Sequence, residues 1–391
     1  MVNTHRVARL QELMAADGVE LALYATSANL QYFLDDSSYF WQRTMYTGGL
    51  PLFDDPSFSP HMMNLPDCVL MVPVDGEPVL LLTWDRLRDM THLDIRKEVF
   101  FFAEFPDVLE RHAKGRTVGY GQACGAYLGA QLRTINPDVA PVEIEHYGES
   151  LRVVKDADEI ARLRRVASFT DDAMAKIVDI LRPGITSHEV ETAMIEFTRD
   201  KGLLDLPFMH TARFVATGTP ESERIDGHGE DVPLRAGSSI AFDFGYVIDG
   251  YCSDYGRSFY SGPAPKEISD AYKALQEAQL RMFDRMKPGE PMDFGFSTAL
   301  KVMEDAGLDK YLMKYGDFGL MGHQIGIDVH EHPWVHGDQQ RLLEPGMVMC
   351  IEPKLWWPGK VFMRVEDMVL ITETGAEALT VFDRELFELP A

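Results

Sequence analysis

The C-terminal half of the sequence repeats one pattern, and this repetition restricts the folds that the chain can adopt. Each copy consists of a helical segment, a Pro-Gly break and a second helix, and a strand region rich in carboxylates follows. The breaks lie at Pro183-Gly184 and Pro288-Gly289, and the repeat covers roughly residues 157–370. A duplicated unit can form one site where its two halves meet. Two unrelated helical hairpins are the alternative, because Pro-Gly turns are common.

Length and composition define the class of protein. The 391 residues allow about two to three domains of ~150 residues, and 46% apolar with 25% charged residues is an ordinary globular balance. The 37 basic and 62 acidic residues give a net charge of −25, which repels phosphate backbones and excludes general nucleic-acid binding.

No apolar run approaches the ~20 residues of a membrane helix. Four widely separated cysteines predict neither a disulfide framework nor a thiolate zinc site, and they favour a reducing cytoplasm.

Two domains are predicted, residues 1–150 and residues 151–391. In the first domain, apolar runs of strand length alternate with helical segments, which is typical of an α/β domain. The segment 36–66 is rich in aromatic residues, Gly, Pro and Asp and has no clear periodicity, so it either covers a binding site or only packs. The predicted strands of the first domain are Val19–Tyr24, Cys68–Pro73, Pro78–Thr83 and Thr117–Gly121.

Two aspartates are predicted to approach each other across a hairpin. Residues 239–246 form a strand with one apolar face, and Asp249-Gly250 is a strong two-residue turn signal. The turn sets a register in which opposite residues have numbers that sum to 499, so Asp243 and Asp254 share a face as diagonal neighbours. Their carboxylates repel unless a cation lies between them, and a divalent metal resolves this repulsion. Two solvated aspartates on an exposed face are the alternative, which the strongly apolar opposite face disfavours.

A second pair of carboxylates and two histidines complete the candidate constellation. Glu352 and Glu366 lie 14 residues apart inside two apolar strands, where an unpaired glutamate is costly to bury. A structural ion pair of Arg364 with a neighbouring carboxylate is the other interpretation. A segment with several glycines contains His323 and His330, and neutral imidazole is a common ligand of transition metals.

Four sequence segments resemble the pita-bread metallopeptidase family, which includes methionine aminopeptidase, aminopeptidase P, prolidase and the metal-free creatinase. The segments are FDFGYVIDGYCSDYGRSF, GHQIGIDVHEHP, LEPGMVMCIEP and RVEDMVLITETG, and their order and spacing match a five-residue dinuclear metal site. The resemblance covers roughly 150–380 and implies an α+β pita-bread catalytic domain with a pseudo-twofold internal repeat. Residues 1–150 resemble the additional α/β domain of the creatinase, prolidase and aminopeptidase P branch. Arg364, two residues before Glu366, also resembles that branch.

The resemblance implies a role for each residue of the constellation. The implied ligands of two divalent ions (manganese, cobalt, iron or zinc) are Asp243, Asp254, His323, Glu352 and Glu366. His330 and the upstream His228 are implied to bind the substrate and to stabilise developing charge, and Glu352 also moves a proton. Arg364 either binds a substrate carboxylate or holds Glu366. Because members of this branch are commonly dimers, a homodimer is expected.

Two departures from the family pattern leave the substrate open. Gly319 stands where related prolidases and aminopeptidases P usually have a histidine, and Lys354-Leu-Trp-Trp replaces a glycine-rich turn. The first expectation is a metallohydrolase that cleaves an Xaa-Pro or similar small peptide bond through a metal-bridging hydroxide. The alternative is a pita-bread enzyme that acts on a small non-peptide metabolite as a C–N hydrolase or a lyase. A catalytically silent binding module is a third hypothesis, and the complete ligand set disfavours it.

Overall fold

The computed structural model describes residues 3–38, 40–42, 66, 68–83, 90–203, 205–224, 231–314 and 319–389. The chain divides into two compact units, Met1–Arg152 and Val153–Ala391. Each unit contains its own clusters of buried apolar side chains. Within the described ranges, no helix combines the length and the apolar character that crossing a membrane requires.

The first unit is built on a mixed sheet of six strands. Its elements are α1 (Thr4–Asp17), β1 (Leu21–Ala25), α2 (Ala28–Leu34), β2 (Cys68–Pro73), β3 (Val79–Thr83), β4 (Arg96–Phe100), α3 (Phe105–Ala113), β5 (Val118–Tyr120), α4 (Gly125–Ile135), β6 (Val142–Glu143) and α5 (Glu145–Arg152), with 3-10 turns at Phe102–Glu104 and Gln122–Cys124. The strand order is β4-β3-β2-β1-β5-β6. Strand β1 is parallel to β5 and antiparallel to β2.

Local sequence explains the elements of this sheet. Every residue of β1 and of β3 is buried, as continuous apolar runs predict for strands in the interior of an α/β domain. Helix α1 begins after Asn3, whose side chain accepts a hydrogen bond from the backbone N–H of Arg6. It buries Val7, Leu10 and Met14, which recur at helical spacing. The four predicted strands of this unit are confirmed as β1, β2, β3 and β5, with ends shifted by up to two residues.

The second unit contains a helix pair followed by strands, twice in succession. Its elements are α6 (Ala157–Ile180), α7 (Ser187–Asp200), β7 (Thr211–Ala216), β8 (Ser238–Asp243), β9 (Val247–Ile248), β10 (Tyr251–Cys252), β11 (Ser258–Ser261), α8 (Lys266–Arg285), α9 (Phe294–Asp305), β12 (Gly322–Gln324), β13 (Glu331–Val335), β14 (Val348–Ile351), β15 (Lys354–Trp357), β16 (Val361–Arg364), β17 (Asp367–Thr372), β18 (Gly375–Ala378) and β19 (Phe387–Leu389), with 3-10 turns at Pro220–Glu223 and Asp309–Tyr311. This order agrees with the repeat that the sequence predicts.

Each helix pair packs with its own sheet. Helices α6 and α7 share a core with the sheet β19-β11-β8-β7, and α8 and α9 share one with the sheet β13-β12-β14-β17-β18. The backbone N–H of Glu366, between β16 and β17, donates to the carbonyl of Gly256, just before β11, at 2.9 Å. This hydrogen bond joins the two halves at the point where the carboxylates of the candidate site are located.

The starts of both helices in the first half follow from their capping sequences. The Asp156 side chain accepts from the backbone N–H of Glu159, and the Glu159 side chain accepts from the backbone N–H of Asp156. Thr186 and Glu189 form the same reciprocal pair at the start of α7. These capping boxes satisfy backbone donors that the first turn of a helix leaves unpaired.

The hairpin register predicted around Asp249-Gly250 is confirmed. The observed pairs are Ala241↔Ser258, Ile240↔Phe259, Ser239↔Tyr260, Ile248↔Tyr251 and Val247↔Cys252, and the numbers of each pair sum to 499. Asp249 and Gly250 have φ angles of 52° and 77°, as a type I′ turn requires. The returning strand is interrupted between β10 and β11, and Asp254 lies in this interruption.

Candidate metal centre

Side chains from both halves of the second unit converge on one buried cluster of metal-binding groups. Asp254 follows β10, His323 lies on β12, Cys350 lies on β14 and Glu366 precedes β17. One donor atom from each of these residues lies within 4.8 Å of the donor atoms of the other three, and all four residues are buried. The predicted donors Asp254, His323 and Glu366 are therefore close enough to share one ion.

Several buried atoms of this cluster lack partners within the described residues. Oδ1 of Asp254, Nε2 of His323 and both carboxylate oxygens of Glu366 have no hydrogen-bond partner there. Burying an unsatisfied polar group costs free energy, and a divalent cation would satisfy all of these atoms, so the donor set fits a metal. His323 is oriented for this role. Its Nδ1 lies 3.0 Å from the carbonyl oxygen of Gln324, which leaves Nε2 as the coordinating atom.

Burial dominates the ionisation of these groups. It raises the pKa of Glu366 well above its ordinary range and also raises the pKa of Asp254, and neighbouring carboxylates add to both effects. Burial likewise raises the pKa of the Cys350 thiol well above its usual value. Its Sγ lies 3.8 Å from the carbonyl oxygen of Asp254, to which the thiol can donate. Asp254, His323 and Glu366 stay the predicted ligands of this cluster.

Two basic side chains lie among the predicted ligands. Nη1 of Arg364 contacts Oδ2 of Asp243 and lies 3.4 Å from Oε2 of Glu366. Nη2 of Arg364 lies 3.3 Å from Oε2 of Glu352, and Nζ of Lys354 contacts the same oxygen. Burial alone would raise the pKa of Glu352, but the charges of Lys354 and Arg364 outweigh it and lower this pKa. The five predicted ligands are therefore close together, and the basic side chains of Lys354 and Arg364 lie among them.

A small residue opposite Asp243 makes room for the arginine. A Cβ atom at Gly256 would collide with Cδ of Arg364 and would lie 2.8 Å from the carbonyl oxygen of Phe242. The space beside the aspartate is thus filled by a cationic side chain that touches three carboxylates. These contacts favour the alternative in which Arg364 holds Glu366 and its neighbours.

His330 lies beside the cluster and stacks on an aromatic ring. Its ring centroid is 4.5 Å from that of His323 and 5.4 Å from that of Trp334, to which it is nearly parallel. Burial, together with the charge of His323, lowers the pKa of His330 to about 4. The imidazole is therefore neutral near pH 7 and has one N–H to donate. Its role towards a substrate stays a prediction.

A buried ion pair that the sequence analysis missed supports the loop that carries His330. Nζ of Lys155 lies 3.1 Å from Oε2 of Glu331, and both side chains are at most 2% exposed. Oε1 of Glu331 accepts hydrogen bonds from the backbone N–H groups of Ile327 and Asp328. The pair therefore fixes the loop between β12 and β13. No local pattern predicts it, because the partners are 176 residues apart.

Replacing Lys155 with methionine should destabilise the protein and slow the reaction while metal stays bound. The variant leaves the Glu331 carboxylate buried without its cation, so we expect the free energy of unfolding to fall by about 3 kcal/mol. His330 loses its fixed loop, and we expect kcat to fall by about 10- to 100-fold. Urea denaturation and steady-state kinetics measure both effects. Lys301→Met, which removes an exposed pair with Asp305, is the matched control and should change little. Unchanged stability and kcat in the Lys155 variant would contradict this role.

Among the remaining candidate residues and segments of the sequence, Gly319 lies within the described residues. His228 lies outside the described residues, and so does most of the segment 36–66. Gly319 is described, and its φ angle is +62°. A Cβ atom there would collide with the ring of Phe296, so this backbone and this neighbour disfavour a histidine at position 319.

His210 is a buried imidazole that no sequence pattern indicated. Its Nε2 lies 2.7 Å from the carbonyl oxygen of Gly245, and its ring packs edge-on against Phe244. Burial lowers its pKa to about 4, so the ring is neutral near pH 7. His210 immediately precedes β7, which pairs with the strand that ends at Asp243. It therefore supports the position of one predicted ligand, although it lies in a segment without regular periodicity.

A duplicated α+β fold around a buried group of carboxylates and a histidine is the architecture of a pita-bread metallohydrolase. Residues 161–373 match metallopeptidase family M24, and the chain belongs to this family. The probable dipeptidase PepE of Mycobacterium bovis is 31% identical over 253 residues. This match covers 64% of the present chain and 65% of the length of that relative.

Solved structures confirm the predicted fold class. The prolidase from Thermococcus sibiricus matches with a TM-score of 0.81 at 22% sequence identity, over 100% of both chains. Dipeptidase PepE from Mycobacterium ulcerans matches with a TM-score of 0.78 at 24% identity, over 100% of this chain and 98% of that chain. The pita-bread catalytic domain with an additional N-terminal domain is therefore the fold of this protein.

Proposed function

We propose that the protein is a metal-dependent hydrolase of small peptides, with Xaa-Pro dipeptides or related amides as substrates. The observation that carries this proposal is the set of unpartnered, buried donor atoms on Asp254, His323 and Glu366 among the described residues. Membership of family M24 and the similarity to a probable dipeptidase and to a prolidase support the same class of reaction. Asp243 and Glu352, which the family resemblance also implies as ligands, each contact a basic side chain in this structure.

The side chains around the metal position supply the remaining chemistry. A divalent cation held by Asp254, His323 and Glu366 would supply Lewis-acid activation of water and of the substrate carbonyl. Glu352 is proposed to take a proton from the attacking water and to deliver it to the leaving amine. The charges of Lys354 and Arg364 lower its pKa, so Glu352 is present as the carboxylate that can accept a proton. Neutral His330 is proposed to donate its N–H to the oxygen that gains negative charge.

Several finer expectations from the family resemblance stay predictions. They are a content of two ions, manganese as one of the candidate metals, substrate binding by His228, a homodimeric assembly and a cytoplasmic location. Arg364 is proposed to hold the carboxylates rather than to bind a substrate carboxylate, since it already contacts three of them.

A small non-peptide metabolite is the second candidate substrate class. Two observations favour it, and both concern departures from the prolidase pattern. Phe296 fills the space beside Gly319 where related peptidases have a histidine. Lys354 places an ammonium group on Glu352 where the family has a glycine-rich turn. Such a site would act as a C–N hydrolase or a lyase.

A peptide panel with controlled metal content tests the first candidate. We expect at least one Xaa-Pro dipeptide to be hydrolysed in the presence of Mn²⁺, with loss of activity after chelation and recovery when Mn²⁺ is restored. An Ala-Ala dipeptide and N-acetylated Xaa-Pro peptides define the requirements for proline and for a free amine. Failure to hydrolyse any peptide, with metal shown to be bound, would reject the peptidase proposal and favour the metabolite.

A further inference from the structure

We propose that Lys354 takes the place of one of the two divalent cations that the family resemblance predicts, so that this chain retains a single metal ion. The ion would be held by Asp254, His323 and Glu366. The inference rests on the proposed metal-dependent function and specifies the metal content of the same site. The inference is based on the ammonium group of Lys354, which contacts Glu352 within the buried cluster of carboxylates.

The formal charges of the cluster balance with one divalent ion. Four carboxylates contribute −4, and two basic side chains contribute +2. The carboxylates belong to Asp243, Asp254, Glu352 and Glu366, and the basic side chains are those of Lys354 and Arg364. The sum of −2 is neutralised by one divalent cation. Two such cations would leave +2, and a hydroxide counter-ion would remove only one of these charges. An uncompensated charge in a buried site is costly, so a second ion is disfavoured.

Lysine rather than arginine distinguishes this chain from the family pattern. Arginine two residues before the second glutamate belongs to the resemblance, whereas lysine two residues after the first glutamate replaces a glycine-rich turn. With Arg364 alone, the four carboxylates would carry −3, which two divalent ions and one hydroxide neutralise. Lys354 adds the charge that changes this balance.

The hairpin register holds Lys354 at the cluster. Lys354 and Arg364 are direct cross-strand partners at the base of the β15–β16 hairpin. Like charges in this arrangement repel unless an anion lies between them. Oε2 of Glu352 contacts Nζ of Lys354 and lies 3.3 Å from Nη2 of Arg364, so one oxygen serves both cations. If Oε2 of Glu352 coordinated a metal ion instead, Lys354 and Arg364 would lose the carboxylate oxygen that lies between them.

The donor atoms fall into two groups according to their partners. Asp243 and Glu352 each have a carboxylate oxygen in direct contact with a basic side chain, whereas Oε2 of Glu366 lies 3.4 Å from Nη1 of Arg364 without a hydrogen bond. Donor atoms on Asp254, His323 and Glu366 have no hydrogen-bond partner among the described residues. The second group defines one cation position. A second ion would need the first group, whose negative charge Lys354 and Arg364 already compensate.

Metal content of the purified protein tests this proposal. Wild-type protein, Lys354→Met and Lys354→Arg are equilibrated with the same excess of Mn²⁺, desalted and analysed for manganese per chain. We expect one ion per chain in the wild type and in Lys354→Arg, which keeps the charge, and two in Lys354→Met. Circular dichroism and thermal unfolding establish that each variant is folded. Electron paramagnetic resonance of the wild type should give the spectrum of isolated Mn²⁺.

The outcomes separate this proposal from the proposed function. Two ions per wild-type chain, or an exchange-coupled manganese pair in its spectrum, would overturn the single-ion proposal and leave metal-dependent hydrolysis intact. One ion per chain in folded Lys354→Met would also overturn it. If Lys354→Met does not fold, the wild-type stoichiometry and spectrum decide. A wild type that binds no ion at all would contradict the proposed function itself.

Discussion

Replacing Glu366 with alanine is expected to release the bound metal and to lower the rate of peptide hydrolysis on the order of a thousandfold or more. Both carboxylate oxygens of Glu366 are buried and lack hydrogen-bond partners within the described part of the chain, so a bound cation would offset the cost of burying them. Asp243 and Glu352, the other carboxylates at the site besides Asp254, already contact basic groups. Metal analysis and kcat/KM for the best peptide of the panel measure the two effects.

Loss of metal can be separated from loss of structure. Burial raises the pKa of Glu366, which means that its ionised form is unfavourable in the metal-free protein. Glu366→Gln has nearly the same volume and no charge, so after chelation it should unfold at a temperature at least as high as the wild type. Glu377→Ala removes an exposed carboxylate that pairs with Arg164 and should keep both metal and activity. A Glu366→Ala protein that retains metal and full activity would refute this ligand assignment.

Replacing Arg257 with methionine is expected to lower the free energy of unfolding by about 5 kcal/mol. Arg257 and Asp367 are fully buried, and Nη2 of the arginine lies 2.6 Å from Oδ1 of the aspartate. The same guanidinium donates to four backbone carbonyl oxygens, those of Gly256, Glu366, Phe382 and Asp383. The variant therefore leaves a buried carboxylate and four carbonyl groups without this donor. Urea denaturation followed by circular dichroism measures the change.

Matched variants identify the source of this loss. Arg164→Met breaks an exposed ion pair with Glu377, and we expect a change below about 1 kcal/mol. The double variant Arg257→Met with Asp367→Leu removes both buried charges, so it should recover part of the stability that the single variant loses. An Arg257→Met loss as small as that of the exposed control would mean that the buried pair contributes little.

The first half of the candidate site could be predicted because its geometry is local. Asp249-Gly250 fixes a turn, the turn fixes the register, and the register brings Asp243 close to Asp254. The capping sequences at Asp156 and Thr186 fix the starts of two helices in the same way. Each of these inferences depends on residues fewer than a dozen positions apart.

The full set of contacts that the basic side chains make at the site could not be predicted, because these contacts depend on packing between distant segments. Arg364 reaches Asp243 across more than a hundred residues, and a nearby ion pair was only one interpretation of its sequence context. Lys354 resembles an ordinary strand residue until its cross-strand partner is known. The pair of Lys155 with Glu331 is likewise a product of tertiary structure. Sequence periodicity predicts which residues are buried, but it does not predict which buried charged side chains contact each other.

The β15–β16 hairpin separates Glu352 from Glu366, and its paired base rather than its length keeps these two residues together. Extra residues inserted at the tip, between Trp357 and Val361, would change the interval along the chain while the base stays closed. The length and sequence of this loop, and thereby the access of a substrate, can therefore change during evolution while Glu352 and Glu366 keep their positions. A motif search that insists on a fixed interval between the two glutamates would overlook such descendants.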